Sequence, residues 1–325
     1  MIPPTGRHLT NPVIFSSLLA TLLLGVILVG GMYAQPERNR KVAVTFDDLP
    51  ASGGAVTLQE YRYINTNLLA GLERQKIPAI GFVNESKLFV KGEIDERTEI
   101  LSRWLVAGHQ LGNHTYSHIP INSSTFEDYI EDLIRGETVT RMLLKERGEV
   151  LRYYRHTQLR TGPTEEYRKR LNAFLAKRGY TVAPVTIDNN EYVYAIIYAR
   201  AKAGGDKELS AKIALSYLEY MEEVFTHFES LSQDFLEREV NQILLLHANE
   251  LNADLIDRLA EMMRGRGYEF IKLEDALRDP AYELPEVQSN RGLSWIHRWM
   301  LAKGHSMRAE PREPEWVSRL LSEGG

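Results

Sequence analysis

A parallel sheet closed, or nearly closed, into a β/α barrel is the fold class this sequence predicts. Three observations lead there. Short apolar runs with strand character alternate with amphipathic helical stretches between residues 42 and 271. Glycine and proline punctuate the boundaries between them. Five of the strand-like runs end in a polar or ionisable cluster, at Asp47/Asp48, His114/His118, Arg155, Asp188 and His247, and in β/α barrels chemistry gathers at the C-terminal ends of the strands.

The first strand is read from Val42, Val44 and Phe46, which alternate with Ala43 and Thr45 and are closed by Asp47 and Asp48. Leu58, Tyr61, Ile64, Leu68 and Leu72 then recur at helical spacing until Pro78, and residues 79–83 form a second strand, so the chain opens on a βαβ unit. Residues 98–107 put Ile100, Leu101, Trp104 and Leu105 on one stripe, with Gly108 placed to end the helix in a left-handed turn. Residues 110–113 are a short strand leading into His114-Thr115-Tyr116-Ser117-His118. Ser124 with Glu127 has the form of a capping box that opens a long helix through Lys145, closed near Gly148.

A strand over 150–154 ends at Arg155, and an amphipathic helix over 164–178 stops at Gly179. Residues 182–187 are a strand closed by Asp188, and helices cover 191–203 and 210–239 around Gly204-Gly205-Asp206. Residues 243–246 form a fully apolar run ending at His247, and a helix over 252–264 precedes the last strand, 268–271. From Pro280 onward the chain carries Ser294-Trp295-Ile296-His297-Arg298-Trp299 and is read as packing on the barrel.

Composition narrows the function. The chain has 325 residues, 43% hydrophobic and 26% charged, the profile of a globular protein. A net charge of −5, with arginines scattered among acids, builds no basic field and argues against a nucleic-acid partner. The absence of cysteine rules out a disulfide framework, a thiolate nucleophile and a cysteine zinc site. Residues 13–29 carry no charge, Arg7 precedes them, and no acid occurs before Glu37. That is the pattern of an export signal, or of a membrane anchor through residues 13–33 with Arg7 on the cytoplasmic side. The expected organisation is a signal peptide or anchor over 1–34, a linker over 35–40, a catalytic domain over 41–279 and a C-terminal extension over 280–325. The catalytic part is expected to be exported to the periplasm, the cell envelope or the exterior.

Two histidines four apart are weak evidence of a metal by themselves. With a carboxylate they leave open positions on a divalent ion, which fits zinc at a hydrolytic site, with cobalt, nickel or manganese as alternatives. A second carboxylate beside the metal accepts a proton from water, and a further histidine protonates a leaving group. Neighbouring Asp47 and Asp48 point different ways at a strand end, so one faces the metal while the other reaches the water only if the turn redirects it. The ordinary readings are a strand-end turn for Asp47 and Asp48, a solvated charge for Arg155, a cap for Asp188 and a hydrogen-bonded core histidine for His247.

The ordered set Thr45-Phe46-Asp47-Asp48, His114-Thr115-Tyr116-Ser117-His118, Arg155, Asp188-Asn189-Asn190-Glu191-Tyr192 and Leu245-Leu246-His247 resembles the five motifs of the polysaccharide deacetylase family, the NodB-homology or family 4 carbohydrate esterases. The resemblance spans about residues 40–277. It implies a distorted, incomplete (β/α) barrel and metal-dependent hydrolysis of an acetyl group, usually the N-acetyl of an amino sugar in a peptidoglycan-like or chitin-like glycan. It implies that Asp48, His114 and His118 hold the metal, and that Asp47 is the general base, oriented by Arg155. Asp188 is expected to pair with His247, the general acid, and Leu245 to line the pocket for the acetyl methyl. The family's Asp-Trp pair reads Glu191-Tyr192 here, which keeps an aromatic wall at Tyr192. Where the family usually has proline soon after its arginine, this chain has His156-Thr157-Gln158, which alters the loop expected to supply a backbone donor to the oxyanion. The same residues also allow two rival readings, an amide hydrolase with a non-carbohydrate substrate and an anchored glycan-binding protein without turnover.

Overall fold

The computed structural model describes Met1, Gly6 and residues 39–323. The expected signal or anchor over 1–34 lies outside the described residues apart from those two positions, and among the described residues no helix is long and apolar enough to cross a membrane.

Among the described residues seven parallel strands form the sheet: β1 (Arg40–Leu49), β2 (Ala79–Val83), β3 (Gln110–Asn113), β4 (Tyr153–Tyr154), β5 (Thr181–Val182), β6 (Gln242–His247) and β7 (Tyr268–Phe270). Their order is β5-β4-β3-β2-β1-β6, with β7 paired to the start of β1. β1 is central. Its Val42–Asp47 stretch registers with Gln242–His247 on one side, and Val44 to Leu49 registers with β2 on the other.

The sheet curls until its ends meet. Beyond β5 the chain runs on to Ile187, which bridges Leu244 of β6. The Ala183 N–H still bonds the Tyr154 carbonyl at 2.8 Å, while the Thr186 and Ile187 N–H groups bond the Ile243 carbonyl at 3.0 and 3.1 Å. Residues 181–187 thus join β4 to β6, and the expected incomplete barrel is what forms.

Alternation along the strands separates two cores. Val42, Val44, Phe46, Leu244 and Leu246 pack in the large core shared with the helices, whereas Ala43, Ile80, Phe82, Tyr153, Ala183 and Ile243 form a smaller one closed by Leu273 and Ala276. The helices are α1 (Leu58–Arg74), α2 (Ile94–Val106), α3 (Phe126–Arg135), α4 (Thr138–Lys145), α5 (Glu165–Lys177), α6 (Glu191–Ala203), α7 (Lys207–Leu236), α8 (Glu250–Gly265), α9 (Leu273–Ala276), α10 (Trp295–Ala302) and α11 (Glu315–Glu323). Gly108 ends α2 at φ +82°, the left-handed turn expected of it.

Three elements differ from the expectation. The strand over 150–154 is reduced to Tyr153–Tyr154, and 182–187 is a two-residue strand followed by a single bridge. The long helix from Ser124 begins one residue later, with Thr125 accepting the Asp128 N–H at 3.1 Å, and it breaks at Gly136. The break has a tertiary cause. A Cβ on Gly136 would stand 2.5 Å from the Thr115 carbonyl carbon and the Tyr116 nitrogen, so glycine lets α3 lie directly on the loop between the two histidines. Asp132 of α3 holds the same loop, its carboxylate accepting the Ser117 N–H at 3.0 Å and the Ser117 hydroxyl at 2.8 Å.

Candidate metal centre and active site

Asp48, His114 and His118 meet at the C-terminal ends of β1 and β3, each offering one ligand atom, with all three atoms within 4.8 Å of one another. Asp48 Oδ1 lies 3.7 Å from His114 Nε2 and 3.8 Å from His118 Nε2. A carbonyl can only accept, so His114 Nδ1, 3.0 Å from the Arg155 carbonyl, carries the proton and leaves the Nε2 lone pair toward the cluster. Burial lowers both imidazoles to about 4, so they are neutral, as ligands must be. Burial pushes the Asp48 carboxyl up, but Lys87, His118 and the other nearby histidines outweigh it and hold the group below the ordinary carboxylate range.

The cluster fits a divalent cation. Asp48 Oδ1 is buried with no hydrogen-bond donor, facing the His114 Nε2 lone pair and His118 Nε2. The backbone is strained to build it, for Asp48, Thr115 and His118 sit at φ 68°, 65° and 57°, where side-chain-bearing residues rarely go.

Asp47 lies beside the cluster, buried, with Oδ2 3.6 Å from His114 Nε2 and Oδ1 3.6 Å from Arg155 NH1. Burial raises its carboxyl above the ordinary value, and Arg155 and His247 oppose that rise. Arg155 is itself fully buried; it donates to Thr45 Oγ1 at 3.0 Å, and its guanidinium lies 4.6 Å over the Phe82 ring. Thr45 registers with Leu245 and Asp47 with His247, so these four side chains share one face of the sheet.

The expected partner of His247 is corrected by the structure. His247 Nδ1 donates to Glu191 Oε2 at 2.8 Å, and Asp188 makes no hydrogen bond to it. α6 starts three residues after Asp188, and its first turn brings the Glu191 carboxylate onto the imidazole. Glu191 is fully buried and also accepts from Asn252 Nδ2 at 2.6 Å and from Asn249 Nδ2. Burial by itself would lower His247, but the Glu191 charge and hydrogen bond, helped by Asp48 and Asp47, push it up to about 9. It is therefore a protonated acid at neutral pH. Asp188 instead accepts the Asn189 N–H at 2.9 Å, and burial, with Glu310 second, raises it to about 7.

Residues 34–182 match the model of the family described as polysaccharide deacetylase. Over those residues, somewhat under half of its length, the chain is similar to the polysaccharide deacetylase family. The match takes in Asp47, Asp48, His114, His118 and Arg155; Asp188, Glu191 and His247 follow it in the sequence and are placed by the geometry above. No curated protein matches the chain. Among solved structures, a chitin deacetylase from the fungal pathogen Colletotrichum lindemuthianum is 22% identical, with 76% of this chain and 89% of that one covered and a TM-score of 0.49. A peptidoglycan deacetylase from Bacillus subtilis is 17% identical over 74% of this chain and 93% of its own, at a TM-score of 0.44. A family 4 pseudoenzyme from Bacillus anthracis is 14% identical over 74% and 66%, at a TM-score of 0.45.

The altered loop after Arg155 is held by the C-terminal segment. His156 is buried, with its ring stacked on Trp295 at 6.3 Å and 24°. Gln158 and Leu159 adopt φ 54° and 52°, and Gly292 packs so close to the Gln158 carbonyl that a Cβ there would stand 2.4 Å away. Arg298, fully buried, donates to the carbonyls of Leu159 at 2.7 Å, Val287 at 3.0 Å and Leu293 at 3.4 Å, and to Thr161 Oγ1 at 3.3 Å. A rigid ring is thus replaced by a buried guanidinium that ties the loop's Leu159 carbonyl and the Thr161 hydroxyl to the C-terminal segment. Leu245 is buried beside the acid, while Tyr192, 49% exposed, stands at the start of α6.

Proposed function

We propose that this protein is a polysaccharide deacetylase that hydrolyses the acetyl group of an N-acetylated amino sugar in a glycan, using a divalent metal held by Asp48, His114 and His118. The observation that carries the reading is a division of labour at one barrel end. A buried carboxylate stands beside the ligand cluster, and a histidine protonated at neutral pH shares its face of the sheet.

A bound divalent ion, zinc by the chemistry of one carboxylate and two imidazoles, would lower the pKa of a water and polarise the acyl oxygen. Asp47 takes the proton of the attacking water, and Arg155, 3.6 Å away, orients and electrostatically supports it. His247 gives its Nε2 proton to the leaving nitrogen. Glu191, bonded to Nδ1, fixes the orientation of the ring and stabilises the imidazolium. Leu245, on the face that carries His247, offers an apolar wall to the acetyl methyl, and the exposed ring of Tyr192 offers a stacking surface to the sugar. Residues 1–34 are proposed to deliver the enzyme outside the cytoplasm, as a signal or an anchor.

The test is acetate release by the full chain from N-acetylglucosamine oligomers and from peptidoglycan fragments, after chelation and re-addition of zinc, cobalt, nickel or manganese. Acetate that appears only with metal supports the reading. No acetate from any substrate with any metal overturns it.

A further inference from the structure

A cavity of about 580 Å³ opens beside the strand end that carries Asp188. Asp188 and Asn190 form its barrel side, and residues 291–293 and 307–312 form the opposite walls. Two separate C-terminal stretches thereby bring three arginines, Arg291, Arg308 and Arg312, to one space. Arg308 is committed to Asp234 at 2.6 Å. Among the described residues neither Arg291 nor Arg312 has a carboxylate within ion-pair distance, although two acids line the same cavity. Of those acids, Asp188 holds the Asn189 N–H, and Glu310 Oε1 lies 3.0 Å from His297 Nδ1. Glu313, next along the chain, accepts from Asn190 Nδ2 at 2.9 Å and from Ser318 at 3.0 Å.

Guanidinium groups with their donors uncommitted match the planar fork of a carboxylate, which takes two parallel charge-assisted hydrogen bonds. A neutral sugar is commonly held by stacking, and among the described residues the lining of this cavity contains no aromatic ring. The volume falls within the range of about 300–1,000 Å³ typical of small-ligand pockets. The cavity is also tied to the reaction centre. Asp188 precedes by three residues the Glu191 that holds His247, and Asn189 between them donates to the Leu245 carbonyl at 2.8 Å.

Resting on the deacetylase reading above, we infer that this cavity is a subsite for an acidic sugar: Arg291 and Arg312 take the carboxylate of a residue flanking the acetylated one, so an anionic N-acetylated glycan is preferred to a neutral one. The source of the carboxylate, a lactyl ether or a uronic acid, is left to the arms of the experiment.

Oligosaccharides of equal length are compared: a neutral N-acetylglucosamine oligomer, one carrying lactyl carboxylates on alternate sugars, one carrying uronic acids, and the amidated form of each acid. The wild-type chain is expected to show kcat/KM at least about tenfold higher for one of the acidic forms than for its amide or the neutral oligomer, a preference that weakens with salt. In the Arg291→Gln/Arg312→Gln double variant the acidic-to-amide ratio should fall to about one, and Arg291→Lys/Arg312→Lys, which keeps the charge without the fork, should fall between. Equal kcat/KM for the acidic and amidated forms in the wild type, or an undiminished ratio in the double Gln variant, overturns the inference. Calorimetric titration with the same oligosaccharides reads the cavity without turnover. If the wild type releases no acetate from any of them, the deacetylase reading fails. The cavity assignment is then decided by whether acid binds more tightly than amide and loses that advantage in the double variant.

Discussion

Replacing Glu191 with glutamine removes a charge from the acid's support and nearly preserves its shape. His247 holds its proton up to about 9 against an ordinary 6.5, a difference of about 3 kcal/mol between its two protonation states. Burial works in the opposite sense, so the nearby acids supply at least that much, with Glu191 first through its charge and its 2.8 Å hydrogen bond. Without it the imidazole should titrate near or below its ordinary value. At pH 8 the protonated fraction then falls from about nine tenths to about 3%, a loss of about thirtyfold in turnover from protonation alone. A metal ion on the three ligands adds the same field to both proteins and lowers both titrations, so the comparison reads the displacement between them when both are assayed with the same metal. The assay is kcat/KM against pH on an N-acetylated oligosaccharide, with circular dichroism and metal content confirming the fold. The basic limb should move down by about 2.5 pH units. A limb left in place would refute the assignment of His247 as the acid raised by Glu191. Stability carries the same signature with a definite sign. A raised histidine contributes stability that is fully present below 6.5 and lost as pH rises through about 9, so the gap in melting temperature between wild type and variant should close over that window.

Asp47→Asn is expected to keep its metal and lose turnover, whereas His114→Ala or His118→Ala loses both; metal content after dialysis and acetate release separate the cases, and full activity in Asp47→Asn at neutral pH would remove it from the base role. Arg298→Met keeps the stem but leaves the Leu159 and Val287 carbonyls without their donor, and should cost about 3 kcal/mol in a denaturant titration. An unchanged midpoint would mean that the loop after Arg155 holds itself. Gly136→Ala drives a methyl into the Thr115–Tyr116 backbone, with an expected loss of about 1–3 kcal/mol and weaker metal binding, since the displaced loop carries both histidines. Unaltered metal affinity in that variant would show that the loop is not set by α3.

Much of the fold could be read from periodicity because its elements are locally consistent. α6 occupies the range predicted for it, residues 191–203, and the polar ends of β1 and β6 fall where the apolar runs stop. The elements that were misjudged depend on distant partners. Val150 to Arg152 have strand composition, but β4 keeps only the two residues that find neighbours. The break at Gly136 answers to the backbone of residues 115–116, which no window around residue 136 contains. The candidate ligands Asp48, His114 and His118, and Asp47 beside them, are legible as strand-end clusters, whereas the support of His247 is read one helical turn too early. Asp188 and Glu191 are both acids after the same strand, and only the entry of α6 decides which reaches the ring. A clue was present nonetheless, because Glu191 stands at the acidic position of the pair that Tyr192 completes. The arginines of the cavity beside Asp188 gave no sequence sign, being scattered along a C-terminal stretch without a motif.

The pairing of β1 with β6 also bears on how the molecule is made. Thr45 Oγ1 reaches the Leu244 carbonyl across 199 residues of sequence, and the segment that joins the two ends of the sheet is met in turn by Ser294 and Trp295, at the Thr186 and Val185 carbonyls. A chain emerging from the ribosome therefore presents its central strand long before that strand's longest partner exists. Until then one edge of β1 offers unpaired backbone groups flanked by Val42, Val44 and Phe46. Such late, non-local closure makes for slow folding and a long exposure to misassembly, and the nascent protein should depend on a chaperone to shield that edge.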